Sequence, residues 1–236
     1  MTLFSYDHEI LERFPHVVGG IIHADGVTNR TATAELTAAF HLEQASVRER
    51  IGQTPLSELP TLAAWRGVFR DFGVNPTKYR SAAESLLRRL TKQGEIPSIN
   101  ALVDLANLVS VRYALPVAVF DQRGVVGGTT VRLAHGGERW ADLGSSKAEH
   151  PEPGEVIFSD DEEQVSARRW CWRQSKASAA REDTAQVLIT IEGHHESAAD
   201  DIDRAVRDIE ALLGSYASPA TVYGEILDAT HPAFSR

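Results

Sequence analysis

Cysteine and methionine are nearly absent from this chain, which has one of each, Cys171 and Met1, among 236 residues. A lone cysteine excludes an internal disulfide framework and a multi-cysteine zinc site, and it suits a reducing compartment. Cys171 itself reads as a small buried hydrophobe. No apolar run approaches the roughly 20 residues that a membrane helix needs. The opening MTLFSYDHEILERF carries acids where a signal peptide has Lys or Arg ahead of an apolar stretch, so a cytoplasmic chain without membrane contact is expected. Also missing are a glycine-rich phosphate loop with its Lys, an HExxH pair, a nucleophile elbow and a paired CxxC. His194-His195 stands at a strand end, where neighbours point to opposite faces, which argues against a shared metal. No cofactor and no metal are expected. The pairs Gly19-Gly20, Gly127-Gly128 and Gly136-Gly137 read as bulges or turns.

Positive charge is scarce overall, with 24 Lys and Arg against 33 Asp and Glu and a net charge of −9. That balance opposes non-specific adhesion to phosphate backbones, whose affinity comes from counterion release by clustered bases. The average hides an asymmetry. Between Arg66 and Lys92 lie seven bases (Arg66, Arg70, Lys78, Arg80, Arg88, Arg89, Lys92) and two acids (Asp71, Glu84), a local charge of +5, which leaves −14 for the remainder. Such a chain can turn one face toward RNA and still release it, although a solvated helix face gives similar runs.

The pattern of apolar residues gives the organisation. After a short N-terminal helix, HVVGGIIHA (His16 to Ala24) is β-branched and reads as a strand. Helices follow over Thr31 to Ile51, ended by Gly52 and Pro55, over Leu59 to Phe72, and from Ser81, whose SAAE has capping-box form. A further helix is expected to start at Pro97-Ser98, with Ile99, Leu102, Val103, Ala106 and Ser110 on one side and Asn100, Asp104 and Asn107 on an adjacent stripe. The strands PVAVF, TVRLA, EVIFS, VSARRWCW and QVLITI come next, and DDIDRAVRDIEALLGS closes the pattern as an amphipathic helix with acids at its start. Helices first and strands later imply an α+β fold with a mostly antiparallel or mixed sheet. The most linker-like stretch is only a dozen or so residues, so one domain over residues 1–236 is expected.

Two groups carry candidate chemistry. The amides of the Asn100, Asp104 and Asn107 stripe supply donors and acceptors that could hold a ribose hydroxyl, an amino acid or a water; the same residues could equally face solvent. In ARRWCWRQS (Ala167 to Ser175), one continuous strand would set Arg168, Trp170 and Trp172 on one face and Arg173 on the other. Arginine beside tryptophan offers planes for unstacked bases and charge for phosphate, while tryptophan is also ordinary core material.

These segments resemble the tRNA-binding and editing module of the phenylalanyl-tRNA synthetase beta subunit, in its freestanding branch. SINALVDLANLVSVRYALPVAVFD (Ser98 to Asp121) is similar to a VDxTN helix followed by a PxHAFD strand, and VRLAHGGERWADL (Val131 to Leu143) to VRxAxxGE and its downstream Leu. PGEVIFSDDEEQVSARRWCWRQS and FRDFGVNPTKYRSAAESLLRRL resemble the freestanding branch more closely, and the similarity spans roughly Trp65 to Gly193. It implies an α+β fold like that module and hydrolysis of mischarged aminoacyl-tRNA in trans, with tRNA as partner. Asn107 matches the family Asn beside the substrate, which makes Asn107, with Asn100 and Asp104, the implied catalytic set. Arg66, Arg70, Lys78, Arg80, Arg88, Arg89, Arg168, Trp170, Trp172 and Arg173 are the implied tRNA contacts. Ala106 and Ala118 stand where the family has Thr and His, so a non-catalytic module that binds tRNA or an amino acid is the alternative. The synthetase's aminoacylation domains are absent from the sequence, which excludes ligation by this chain alone.

Overall fold

In the computed structural model, which describes residues 1–145 and 147–236, six α-helices and twelve strands alternate in an α+β arrangement. In chain order they are β1 (Thr2–Tyr6), α1 (His8–Arg13), β2 (Val18–Asp25), α2 (Ala34–Ile51), α3 (Pro60–Asp71), α4 (Ala82–Gln93), α5 (Ala101–Tyr113), β3 (Val117–Asp121), β4 (Thr129–Leu133), β5 (Trp140–Ala141), β6 (Ala148–Glu149), β7 (Val156–Ser159), β8 (Val165–Arg168), β9 (Arg173–Gln174), β10 (Gln186–Gly193), α6 (Ala198–Tyr216), β11 (Thr221–Leu227) and β12 (Ala233–Ser235). Most of the expected helices and strands are present. The terminal strands β1, β11 and β12, and the short pair β5–β6, carry no clear alternation and went unread.

Two larger sheets dominate. One runs β11-β2-β10-β3, antiparallel throughout; the other runs β12-β1-β4-β7-β8-β9 and is antiparallel except where β1 pairs with β4. The mixed pairing expected from sequence is therefore observed.

The four-stranded sheet is covered on both faces, which explains why QVLITI is almost wholly apolar rather than alternating. Alternation along β10 sends Val187, Ile189 and Ile191 into an aliphatic core shared with α2, α5 and α6. Leu188 goes the other way, into a core rich in aromatic rings: Phe4, Tyr6, Phe14, Trp65, Phe69, Phe158 and Trp170. Thr190 and Glu192 keep the period of Leu188.

Gly19 and Gly20 are neither bulge nor turn. Both lie in the uninterrupted register of β2 against β10, and a Cβ at Gly20 would come within 2.5 Å of Val206 on α6. A Cβ at Gly19 would fall 2.2 Å from the Tyr6 hydroxyl. Each glycine thus marks a close approach that a side chain would block.

Several helix starts follow local chemistry. The Ser81 hydroxyl accepts from the Glu84 amide at 3.2 Å and opens α4, but the Glu84 carboxylate turns away to Arg66 at 2.8 Å and Arg80 at 3.5 Å rather than closing the box. Helix α5 begins three to four residues later than the Pro97-Ser98 signal suggests. Asn100 is its extended N-cap, with φ −157°, and accepts from the Val103 amide at 3.0 Å.

Candidate functional site: a buried carboxyl under an aromatic hairpin

The segment ARRWCWRQS is a hairpin, not the single strand expected. Strand β8 ends at Arg168, which pairs with Arg173 at the start of β9. Between them Arg169 and Trp170 take left-handed backbone angles, φ 47° and 60°. Such angles cost non-glycine residues free energy and are tolerated where packing over-determines them. Here the packing is plain. Trp170 is fully buried, edge-on to Trp65 at 5.4 Å and Phe14 at 5.1 Å, and Glu155 clamps Arg168 at 3.0 Å and Arg169 at 2.7 Å.

The hairpin roofs a pocket of about 90 Å³ between the two large sheets. Pro116, Val117 and Ala118 of β3 and its approach, Phe158, Ala167, and Thr190 and Glu192 of β10 form its walls. Trp170, Cys171, Trp172, Arg173 and Gln174 close it from the hairpin side, and Ala82 from the start of α4. The Cys171 carbonyl accepts from the Ala82 amide at 2.8 Å, so roof and basic helix are tied together.

Glu192 is the chemical centre of this pocket. It is 2% exposed, and its Oε1 accepts from the Tyr6 hydroxyl at 2.7 Å and from Trp170 Nε1 at 3.0 Å. Gly19, directly opposite Glu192 in the register, leaves the space through which the Tyr6 hydroxyl arrives. The Trp65 indole donates to the Glu192 backbone carbonyl at 3.3 Å. Burial outweighs these two neutral donors and lifts the carboxyl from the usual carboxylate range to about 7. The same burial pushes the Cys171 thiol well above its ordinary range, so it is not a thiolate nucleophile. His194, packed edge-on against Trp65 at 4.6 Å and Trp170 at 4.9 Å, is held neutral by burial, at about 3. Its Nε2 is buried without a hydrogen-bond partner among the described residues.

Cations and rings alternate along the roof as a ladder, with Lys78 and Arg173 open to solvent and Arg169 mostly buried on Glu155. Arg169 lies over Tyr79 at 4.1 Å and Trp172 at 4.7 Å, Arg173 over Trp172 at 5.0 Å, and Lys78 over Tyr79 at 4.9 Å. Arg173 also pairs with Asp142. Beyond the ladder, a shallow groove is lined by Arg66, Arg80, Arg88 and Lys92. Arg70, Arg88, Arg89, Lys78 and Lys92 are exposed, whereas Arg66 and Arg80 are half-buried on Glu84.

The residues nominated from sequence divide sharply. Trp172 and Arg173 stand at the pocket. Trp170 lines it from inside as core, and Arg168, 4% exposed, is spent on Glu155 and Glu149. Neither is placed to stack a base, because packing and ion pairing have already claimed them. The Asn100, Asp104 and Asn107 stripe is not gathered at the pocket. Asn100 caps α5 and donates to the Ala180 carbonyl at 3.4 Å. Asp104, fully buried, accepts from the Ile99 amide at 2.8 Å and from the Ser98 hydroxyl, which fastens the entry loop. Asn107 is half-buried on α5 and is not among the pocket's lining residues. The reason is topological: α5 packs on the aliphatic face of the sheet, and the pocket opens on the aromatic face. Glu192 was not singled out from sequence. Its signal was a lone acid two residues beyond Thr190 in an otherwise apolar strand. Among the described residues no cluster of three or more His, Cys, Asp or Glu could hold a metal ion, and no helix is long and apolar enough to cross a membrane.

An α+β protein with an aromatic pocket around one buried acid is the class that fold and site define. Residues 64–210 match the B3/4 domain family, and the chain belongs to that family. It is 34% identical over 116 residues to the phenylalanine--tRNA ligase beta subunit of Bradyrhizobium diazoefficiens, an overlap of 49% of this chain and 14% of that subunit. The chain thus spans a small part of the curated relative it matches. Its fold also overlays 50% of an N-terminal fragment of the phenylalanyl-tRNA synthetase beta-subunit from Pyrococcus horikoshii, with TM-score 0.45, 13% identity and 95% of this chain covered.

Proposed function

We propose that this protein binds aminoacyl-tRNA, receives the charged 3′ end in the pocket beneath the hairpin and hydrolyses mischarged ester in trans. The observation that carries the reading is continuity. The pocket mouth, the cation-ring ladder of Lys78, Tyr79, Arg169, Trp172 and Arg173, and the basic α4 groove form one path, tied by the Cys171–Ala82 hydrogen bond. Aromatic planes interleaved with cations suit single-stranded nucleic acid, whose bases stack while phosphates meet the charge. Membership of the B3/4 family and the beta-subunit relative point to the same partner. Hydrolysis in such a site would rest on orienting the ester and a water rather than on a strong nucleophile. Asn107, Asn100 and Asp104, which the synthetase resemblance nominates for that positioning, lie on α5 across the sheet from this pocket, so Thr190 and Glu192 of its wall are the groups at hand for orienting the ester there.

A second reading, a binding module without hydrolysis, is favoured by one specific feature. Ala118 lines the pocket where the resemblance places a histidine, so no imidazole faces the ligand there. Incubation with a panel of aminoacyl-tRNAs, following release of amino acid and retention of charged against uncharged tRNA, separates the readings. Release from one charged species is the expected outcome. Preferential retention of a charged species without release would establish the binding module, and indifference to charging would end both readings.

A further inference from the structure

Buried carboxylates in this protein almost all have a cation or a set of backbone amides. Glu84 holds Arg66 and Arg80, Glu138 holds Arg132 at 2.5 Å, Glu155 holds Arg168 and Arg169, and Asp160 accepts the amides of Val126, Glu162 and Gln164. Glu192 has neither. Its two donors, Tyr6 and Trp170, are neutral and both go to Oε1, which leaves Oε2 without a donor among the described residues. A carboxyl withdrawn from water in this way keeps its proton or awaits a positive partner.

The groups packed around it supply no such partner. From β1 comes the Tyr6 phenol, from the hairpin the Cys171 thiol, from α3 the Trp65 indole, and from the end of β10 His194, which burial holds neutral. Arg169 is engaged with Glu155 and Arg173 with Asp142. The pocket offers the remaining approach, and Glu192 is one of its walls. Its size is equally specific. At about 90 Å³, against about 150 Å³ for a closed cavity that holds benzene, the pocket is too small to enclose a ring beside the ammonium, and the remainder of a ligand must extend through its open mouth.

We infer that the pocket recognises a small aliphatic primary amine whose ammonium group pairs with Glu192, and that it turns away aromatic amines. This deepens the proposed function and rests on it for one point only: on that reading the amine is the α-ammonium of a short-chain aminoacyl ester.

The test is calorimetric titration of the whole chain with L-valine methyl ester, isobutylamine, isobutanol and L-phenylalanine methyl ester at pH 6.5. The two aliphatic amines should bind at least tenfold more tightly than isobutanol and the phenylalanine ester. Because an ammonium beside Glu192 draws its carboxyl downward, binding should expel part of a proton, read as an enthalpy that depends on the buffer. E192Q keeps the volume and an acceptor for Tyr6 and Trp170. It should abolish both the tenfold preference and the proton release, whereas a merely structural Glu192 would leave the release unchanged. Equal binding of isobutanol, tighter binding of the phenylalanine ester, or no proton release from the parent protein would each overturn the inference. Charged tRNA that is bound while the amines are not removes this inference alone. Amines bound by a protein indifferent to tRNA remove the tRNA reading alone.

Discussion

The two faces of the four-stranded sheet are built from different chemistry. Toward α2, α5 and α6 the sheet meets Leu, Ile, Val and Ala almost exclusively, with Phe40 a lone buried phenyl ring in that core. Toward α1, α3 and the six-stranded sheet lies a core with seven buried phenylalanines, two tryptophans and the Tyr6–Glu192 pair. Aliphatic side chains fill space and carry no polar atom, and the carboxylate buried on the first face, Asp104, is satisfied by the loop that enters α5 instead. Indoles and phenols bring a donor with every ring, so the second face can bury a carboxyl and still satisfy one of its oxygens. Left-handed non-glycine residues occur on both sides, Arg169 and Trp170 on the second and Ala114, at the end of α5, on the first.

Five substitutions or conditions test that division. The largest effect is expected on the aliphatic face. Leu105→Ala removes a fully buried side chain and should cost about 2–5 kcal/mol in denaturant unfolding, with amine affinity at the pocket unchanged below the transition. Loss of pocket binding in the still-folded variant would show that the two faces are not separable.

The aromatic face should show itself in pH dependence. The Glu192 carboxyl is raised in the folded protein, from 4.5 to about 7, so the folded state binds the proton more tightly than the unfolded chain. Its neutral form is accommodated below pH 4.5 without cost, and stability from this group falls as pH rises through 4.5 to about 7. The loss amounts to up to about 3 kcal/mol. Urea midpoints at pH 5 and pH 8 for the parent and for E192Q measure it. The parent should lose stability across that interval and the variant much less. Equal slopes for the two would mean that Glu192 is better solvated than its burial implies.

What could be read from sequence follows the same division. The helices of the aliphatic face were legible because each must present a 3.6-residue apolar stripe, and Ile202, Val206, Ile209 and Leu213 of α6 do so. Strand β10 was legible because both its faces are buried. Strand β1 was not: it is completed by β12 from the other end of the chain, and local pattern is silent on pairings over that separation. Where the candidate stripe would lie relative to the pocket was not legible for a related reason. Periodicity placed Asn100, Asp104 and Asn107 near one another on α5, but nothing in it says which face of the sheet a helix will cover. The hairpin was misread because left-handed angles at Arg169 and Trp170 are set by Glu155 and the aromatic packing, not by any turn-forming residue in ARRWCWRQS.

Smaller effects sharpen the comparison on α5. Asn100→Ala removes the N-cap acceptor for Val103 and should cost about 1 kcal/mol, read as a lowered urea midpoint without change at the pocket. Asn107→Ala, at a half-buried position, should alter stability by no more than about 0.5 kcal/mol. If it nonetheless abolished release of amino acid from charged tRNA, the aliphatic side would carry catalysis and the division drawn here would break.

The smallest expected change in stability, and the one most informative about tRNA, concerns the exposed pair on α4. Arg88 and Arg89 are both open to solvent, Arg88 lines the basic groove, and neither is engaged in an ion pair among the described residues. Arg88→Glu with Arg89→Glu should therefore leave the unfolding midpoint within about 0.5 kcal/mol of the parent. Each phosphate neutralised contributes a slope of about −0.9 to −0.7 in log affinity against log salt, so three or four contacts along this groove predict a total near −3. The reversal removes two positive charges and adds two negative ones to a chain whose remainder already carries −14, so affinity for tRNA should fall and the slope should flatten. Filter binding across a salt series measures both. Undiminished binding in low salt would mean that α4 is only a solvated face. The exposed end of the ladder, Trp172 and Arg173, would then have to hold the nucleic acid by stacking, an interaction with little salt dependence, and Trp172→Ala would be the change that reveals it.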